Sequence, residues 1–455
     1  MNSDNAGYQK GYVVLISLVA AFGGFLFGYD TAVVSGAIGF LKTHFKLTAD
    51  LTGWAASSML VGCMVGAMLS GPLGDRLGRK WSLSLCGLLF AVSSLASALP
   101  QSLGQFAWAR FAGGVAIGAA SILSPIYIAE VSPEKSRGRL VALYQLAIVV
   151  GVLLVFFVNY KIQQSGDVEW NVSKGWRWMF ASLVAPSALF FIIMMFMPES
   201  PRWLMKVGKD GEARAVLSKI GGLENAGKQV EQIRESLKEE EGRWGELFGG
   251  GYFRALVVGG LLAIFSQFSG INAIMYYGPE VFKASGVAQN NAFMQTVIVG
   301  AINLLFTFVA IGFVDNFGRR PLLLIGTAVQ TVAHGLIGFF FFKSMNGFPL
   351  LIAVLSFVAA FAMAMGPVSW IVNSEIFPTK LRGRAMAVSI FFLWLADWVV
   401  TQTFPMLQES IGAAKTFWVY GICSLASFVF IFFYVPETKG KTLEEIESSW
   451  KRAGR

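Results

Sequence analysis

The stretch EVSPEKSRGR, Glu130 to Arg139, returns without a gap as EIFPTKLRGR, Glu375 to Arg384. A second pair follows the same rule: Gly74-Asp75-Arg76-Leu77-Gly78-Arg79-Lys80 recurs as Val314-Asp315-Asn316-Phe317-Gly318-Arg319-Arg320. A third pair is Pro198-Glu199-Ser200 with Pro436-Glu437-Thr438. All three are separated by about 240 residues and close corresponding apolar runs. Three chance matches at such similar offsets are not expected, so the chain reads as two similar halves. Parallel halves related about the membrane normal, with a site at their interface, are an architecture of rocking secondary transporters.

The apolar runs between these motifs set the class. The chain is 55% hydrophobic and 14% charged, with a mean hydropathy of +0.60. About 20 apolar residues in a helix cover the ~30 Å hydrocarbon core of a bilayer. Spans are predicted at 12–41, 52–73, 81–99, 104–129, 140–160 and 176–197, then at 252–283, 292–314, 321–343, 348–373, 385–408 and 414–434. The expected fold is an all-α polytopic membrane protein of twelve transmembrane helices in two pseudo-symmetric six-helix halves. The halves are 1–197 and 252–434, with a cytoplasmic helical linker at 198–251 and a cytoplasmic tail at 435–455. Within the linker, Val230, Ile233 and Leu237 share one face of a short amphipathic helix.

Charge gives the orientation. The loops after spans two, four, eight and ten carry Arg76/Arg79/Lys80, Lys135/Arg137/Arg139, Arg319/Arg320 and Lys380/Arg382/Arg384. The loop near Pro100, after span three, has no Lys or Arg. The positive-inside rule therefore places both termini in the cytoplasm of a multi-pass protein of the cell membrane. The formal charge of +9 belongs to this pattern and not to a nucleic-acid footprint. Cys63, Cys86 and Cys423 sit in apolar runs, and His44 and His334 share no ligand spacing, so neither a disulfide framework nor a metal site is expected. The first apolar run is too long for a cleavable signal peptide. Asn171-Val172-Ser173 matches a glycosylation sequon on the expected outer side, a motif frequent by chance.

Two charges break the apolar pattern together. Asp30 is the lone charged residue between Gly11 and Leu41, and Arg110 is the lone one between Leu103 and Ala129. A carboxylate at that depth costs roughly 2.5–3.5 kcal/mol on insertion scales and is kept for a functional reason. Both fall in the outer halves of their spans, where they could meet. Asp397, in span eleven, is a second embedded acid, either solvated in a lumen or involved in proton handling.

With these stretches quoted, the chain resembles a known family. Gly71-Pro72-Leu73-Gly74-Asp75-Arg76-Leu77-Gly78-Arg79-Lys80 is similar to the loop signature of the major facilitator superfamily. Gly23–Thr31, Pro198–Leu204, Gln267–Asn272 with Tyr276-Tyr277, Gly366–Trp370 and Pro436–Gly440 together resemble the sugar porter family. That family includes bacterial proton-coupled pentose and hexose transporters and facilitative glucose transporters. The resemblance covers essentially the whole chain. It implies proton-coupled symport of a monosaccharide by a protein that is not an enzyme, works as a monomer and needs no cofactor. A uniporter with Asp30 as a structural partner of Arg110 is the second reading, and a transporter-like sugar sensor the third.

A sugar needs hydrogen-bonding groups for its hydroxyls and an apolar face for its C–H surface. Gln145, Gln267, Asn272 and Asn303 supply the first; Trp370, Tyr276, Phe27 and Trp394 supply the second. The resemblance implies that Gln145, Gln267, Asn272 and Trp370 line the sugar site. Buried Asn and Gln also bond membrane helices together, which is the competing reading for each amide. Ser266 and Leu393 stand where many relatives carry further polar residues, and Leu183 where some proton-coupled relatives carry an acid, which leaves the particular sugar open. At the cytoplasmic side the gate is expected from Asp75, Arg76, Arg79, Glu130, Arg137, Arg139, Glu199 and Arg202, with Asp315, Arg319, Glu375, Arg382, Arg384 and Glu437 in the second half. Glu130 with Arg139, and Glu375 with Arg384, are the pairs expected to close that side; a purely topological role for the cations is the plainer alternative.

Overall fold

Helix follows helix, with no strand, through the residues described by a computed structural model: 10–133, 136–238, 244–249, 252–345, 347–377, 380–441 and 445. The first half contains α1 (Lys10–Phe45), α2 (Ala49–Leu77), α3 (Arg79–Ala98), α4 (Leu103–Val131) and α5 (Arg137–Gln164). Its sixth crossing is assembled from α6 (Val168–Trp170), a π-turn at Asn171–Gly175, α7 (Trp176–Ala181) and α8 (Val184–Phe196). Three short helices follow, α9 (Pro201–Lys206), α10 (Asp210–Gly221) and α11 (Leu223–Lys238), with a 3-10 turn at Trp244–Phe248. The second half contains α12 (Tyr252–Phe268), α13 (Ile271–Ala284), α14 (Gln289–Phe317), α15 (Arg319–Phe342), α16 (Phe348–Met363), α17 (Met365–Ile376) and α18 (Arg382–Tyr434).

Among the described residues, 11 segments are long and apolar enough to cross a membrane. The 53 residues of α18 would reach about 80 Å if straight, far beyond one bilayer. A left-handed break at Gly412, φ 80° and ψ 162°, folds them into two crossings and brings the number to twelve. Large apolar side chains such as Trp108, Phe196, Ile422 and Phe433 point outward, as they do where lipid is the solvent. The crossings alternate, so one end of the bundle carries α9–α11 (the linker end) and the opposite end is called the far end.

Two expected spans are not continuous. Span seven breaks between α12 and α13, where Gly270 has φ +78°. Span ten breaks at Ala364 because Pro367 lacks an N–H and its ring crowds the carbonyl four residues back, at Met363. Neither break is visible in an unbroken apolar run. The sequon reading of Asn171 is also overturned: its side chain is buried and donates to the carbonyls of Gln163, Gly166 and Asp167 at 2.9, 3.1 and 2.8 Å. In the linker, Val230, Ile233 and Leu237 pack on Leu204, Met205 and Ala213.

Close packing follows small residues. Gly62 and Gly66 of α2 lie one turn apart and face the carbonyls of Phe111 and Val115; Gly114 and Gly118 of α4 face those of Met59 and Cys63. A Cβ on any of the four would run into that backbone. Backbones this close gain the dispersion contacts that hold helices together where no hydrophobic effect operates. The approach also seats Arg110, one turn before Gly114, against α2 and α1.

Gly114→Ala is therefore expected to destabilise the bundle by about 1–3 kcal/mol through overpacking. Gly312→Ala, where an added Cβ meets nothing within 4 Å, should be neutral or stabilising by up to about 1 kcal/mol. Thermal midpoints of the two purified variants check the contrast; equal midpoints would contradict it.

Candidate functional site

Asp30 and Arg110 meet at the centre of the first half. Arg110 donates through Nη1 to Asp30 Oδ1 and through Nη2 to the Asp30 main-chain oxygen at 2.9 Å. The same nitrogen touches Met59 Sδ, and the guanidinium lies 5.2 Å over the Phe180 ring. Each side chain is 1% exposed. Asp30 Oδ2 keeps no protein partner, and a Cβ at Gly113 would lie 3.1 Å from it. The pair is thus held from α1, α2, α4 and α7, with one carboxylate oxygen free.

The second half supplies a polar cluster around the break in span seven. The turn at Gly270 faces Asn272 back onto Gln267, whose Oε1 accepts from Asn272 Nδ2 at 2.7 Å. One turn on, Tyr276 donates its hydroxyl to Asp397 Oδ2 at 3.2 Å. Thr401 donates to Asp397 Oδ1 at 3.1 Å, and Tyr277 donates to the Thr401 carbonyl at 2.8 Å. Trp394, one turn before Asp397, packs on Phe27 of α1 with centroids 5.6 Å apart, so an aromatic contact joins the halves beside this cluster. Gln145 on α5 and Trp370 on α17 are half-buried, and Asn303 on α14 is buried. None of these three side chains hydrogen-bonds to the cluster among the described contacts. Tyr277 enters the sequence reading only as part of the Tyr276-Tyr277 stretch and Thr401 not at all, although Thr401 lies four residues after Asp397, a spacing that shares one helix face.

The linker end carries two matching clusters. In the first half, Glu130 accepts from Arg79 Nε at 3.0 Å, Arg79 Nη2 at 3.1 Å and Ser200 Oγ at 2.5 Å. Glu199 accepts the backbone N–H of Arg79 and Lys80, at 2.9 and 3.1 Å, and so closes the N-terminus of α3. In the second half, Glu375 takes Arg319 Nη2 at 3.0 Å and Thr438 Oγ1 at 2.5 Å, and Glu437 takes the N–H of Arg319 and Arg320 at 3.1 and 3.0 Å. Gly78 and Gly318, at φ +87° and +90°, make the turns; a Cβ on either would fall on the capping carboxylate. Burial raises the Glu199 pKa against the pull of the Ser200, Lys80 and Arg79 amides. For Glu437 burial also pushes upward, but four backbone amides outweigh it and the pKa is lowered.

In this state the two glutamates hold partners other than the ones expected of them when the halves close. Glu130 pairs with Arg79 rather than Arg139, and Glu375 with Arg319 rather than Arg384. The reason is geometric: the loop before α3 or α15 brings its arginine to the end of the helix that carries the glutamate, while Arg137 and Arg139 stand exposed in the next helix. Each cluster also stays within one half. Arg76 and Arg202 are exposed, Arg382 and Arg384 are half-buried, and Asp75 binds Lys206 at 3.0 Å and Arg79 at 3.4 Å. The Asp315 side chain lies outside the described residues.

The halves are joined toward the far end. Gln402 of α18 accepts from Ser57 Oγ at 2.8 Å and donates to the Asp50 carbonyl at 2.9 Å, both on α2. Gly39 of α1 packs on Glu280 and Lys283 of α13, and Phe40 stacks on Phe293 of α14 at 6.2 Å. Leu153 and Phe156 of α5 press on Gly300 of α14.

The chain is similar to known proteins over nearly its whole length. The family model described as "Sugar (and other) transporter" matches residues 16–450. The arabinose-proton symporter of Bacillus subtilis is 45% identical over 445 residues, covering 97% of this chain and 96% of that protein. The D-xylose-proton symporter of Escherichia coli is 42% identical over 482 residues, covering 98% and 97%. The inward open conformation of the xylose transporter XylE from E. coli superimposes with a TM-score of 0.87 at 41% identity, covering 96% of this chain and all of the other. The chain belongs to the sugar porter family of the major facilitator superfamily.

Proposed function

We propose that the chain carries a monosaccharide, a pentose or hexose, together with a proton across the cytoplasmic membrane by alternating access. The observation that carries this reading is the buried Asp30–Arg110 pair with a free carboxylate oxygen, three residues from Phe27 at the junction of the halves. Relatives named as proton symporters of arabinose and xylose support it. The basic loops put the linker end in the cytoplasm, so contacts at the far end make this an inward-facing state. Residues 1–197 and 252–434 then rock as two bodies about the linker 198–251, with the tail 435–455 on the cytoplasmic side. The two carboxylate clusters travel with their own halves, holding helix ends rather than bridging the gap. Gln267, Asn272, Tyr276 and Trp394, with Phe27, form the sugar surface; Gln145, Asn303 and Trp370 complete it as the halves approach.

Ionised Asp30 holds Arg110 by a charge-assisted bond. A proton on Oδ2 cancels the charge, loosens α1 from α4 and lets the halves exchange contacts. The buried ion pair and the polar cluster around Asp397 are both built within one chain, which supports the monomer as the working unit.

Asp30→Asn, which copies the protonated form, should exchange sugar in counterflow yet fail to accumulate it under an imposed proton gradient. A panel of pentoses and hexoses in proteoliposomes measures both. A variant that still concentrates sugar removes Asp30 from coupling, and a wild type indifferent to the gradient is a uniporter. Gln402→Ala should release the far end, since it deletes two bonds between the halves. A cysteine replacing Phe293 would then react faster with a polar thiol reagent; an unchanged rate would show that Gln402 does not hold the halves.

A further inference from the structure

Asp30, Arg110 and Asp397 are the charged side chains buried almost completely among the described residues. Arg110 answers Asp30, whereas Asp397 has no ion pair among the described residues and is met by neutral donors. From α13 come Tyr276 at Oδ2, the Asn272 amide, and Tyr277, whose hydroxyl goes to the Thr401 carbonyl. From its own helix comes Thr401 at Oδ1. From α2, Cys63 lies within electrostatic reach of Asp397, Asp30 and Arg110 alike. Arg110 also reaches Tyr276 electrostatically. A buried carboxylate held without a counter-ion is an expensive species, and protonation is the cheapest relief.

We propose that Asp397 binds and releases a proton during the transport cycle, and that this proton sets sugar affinity by freeing Tyr276. The proposal rests on the sugar-transport reading above. While Asp397 is ionised, its oxygens accept from Tyr276 and Thr401, and those donors are spent. On protonation a proton from water forms an O–H bond at Oδ2, and Tyr276 can no longer donate there. The Tyr276 hydroxyl then turns to a sugar hydroxyl, beside the Trp394–Phe27 aromatic contact one turn away. On release that O–H bond breaks, its electron pair stays on Asp397 and the proton passes to water. Nothing is oxidised or reduced. Sugar therefore binds best to the protonated form, and its affinity rises as pH falls, by up to about tenfold per pH unit for one linked proton.

The test is calorimetric titration of D-xylose, L-arabinose and D-glucose into the purified full chain across the acidic to neutral range. Asp397→Asn should bind at neutral pH as the wild type does in acid, with the pH slope flattened. Asp397→Glu should restore a slope. An unchanged slope in Asp397→Asn overturns the proposal. So does an affinity lost equally at every pH, which would make Asp397 a plain sugar acceptor. Infrared difference spectra of the sugar-free protein separate this from the transport reading: a protonated-carboxyl band that titrates with pH should vanish in Asp397→Asn and persist in Asp30→Asn. If none of the sugars binds but that band behaves so, the transport reading fails and the proton site stands. If no band depends on Asp397, the proton site falls.

Discussion

A carboxylate and a guanidinium face each other in a medium with almost no water to solvate either, and the rest of the structure is arranged around that. Either charge alone would be costly at this depth. Together they are tolerable only if geometry is fixed, because a loosely paired buried ion keeps most of its desolvation cost. The fixing comes from close helix approach. Gly62, Gly66, Gly114 and Gly118 bring α2 onto α4, and Gly28 and Gly151 bring α1 onto α5. The same glycines that let backbones touch thus set where Asp30 and Arg110 stand. One proton removes half of the pair's charge, which makes this contact a natural place to convert protonation into movement.

Among the described residues of the second half, no ion pair is buried in this way. That half carries the broken helices α12–α13 and α16–α17 and a cluster of neutral donors around Asp397. Duplication produced two similar scaffolds, seen in the matching clusters Glu130–Arg79–Ser200 and Glu375–Arg319–Thr438. The interiors then took different work. The buried ion pair Asp30–Arg110 lies in the first half and hydroxyl and amide groups gather around Asp397 in the second, with Phe27 and Trp394 where they meet. The far-end contacts through Gln402 and Phe40 fix which end is closed in this state.

Much of this was legible in the sequence, and the reasons are physical. A bilayer forces long apolar runs, so the crossings could be read directly, and a charge inside such a run stands out, as Asp30, Arg110 and Asp397 do. The repeated motifs announced the two halves. What the sequence hid is direction and partner. Glu130 with Arg139 is adjacent in the motif, yet the fold brings Arg79 to the glutamate from a different loop. Gly412 ends one crossing and starts another inside what is otherwise a single helix, and the breaks at Gly270 and Ala364 fall inside stretches that read as single spans. Ser200 and Thr438 occur in the quoted repeats, but their role as hydroxyl partners of the glutamates needed the structure.

The central claim is that the Asp30–Arg110 contact holds the linker end open until a proton releases it. Spin labels on the linker-end tips of α4 and α17, one in each half, report that opening as a distance in reconstituted membranes. With sugar present, the wild type should shift to the shorter distance as pH falls, and Asp30→Asn should show the shorter distance at every pH. A distance in the wild type that does not respond to pH, or an Asp30→Asn population that stays long, would contradict it.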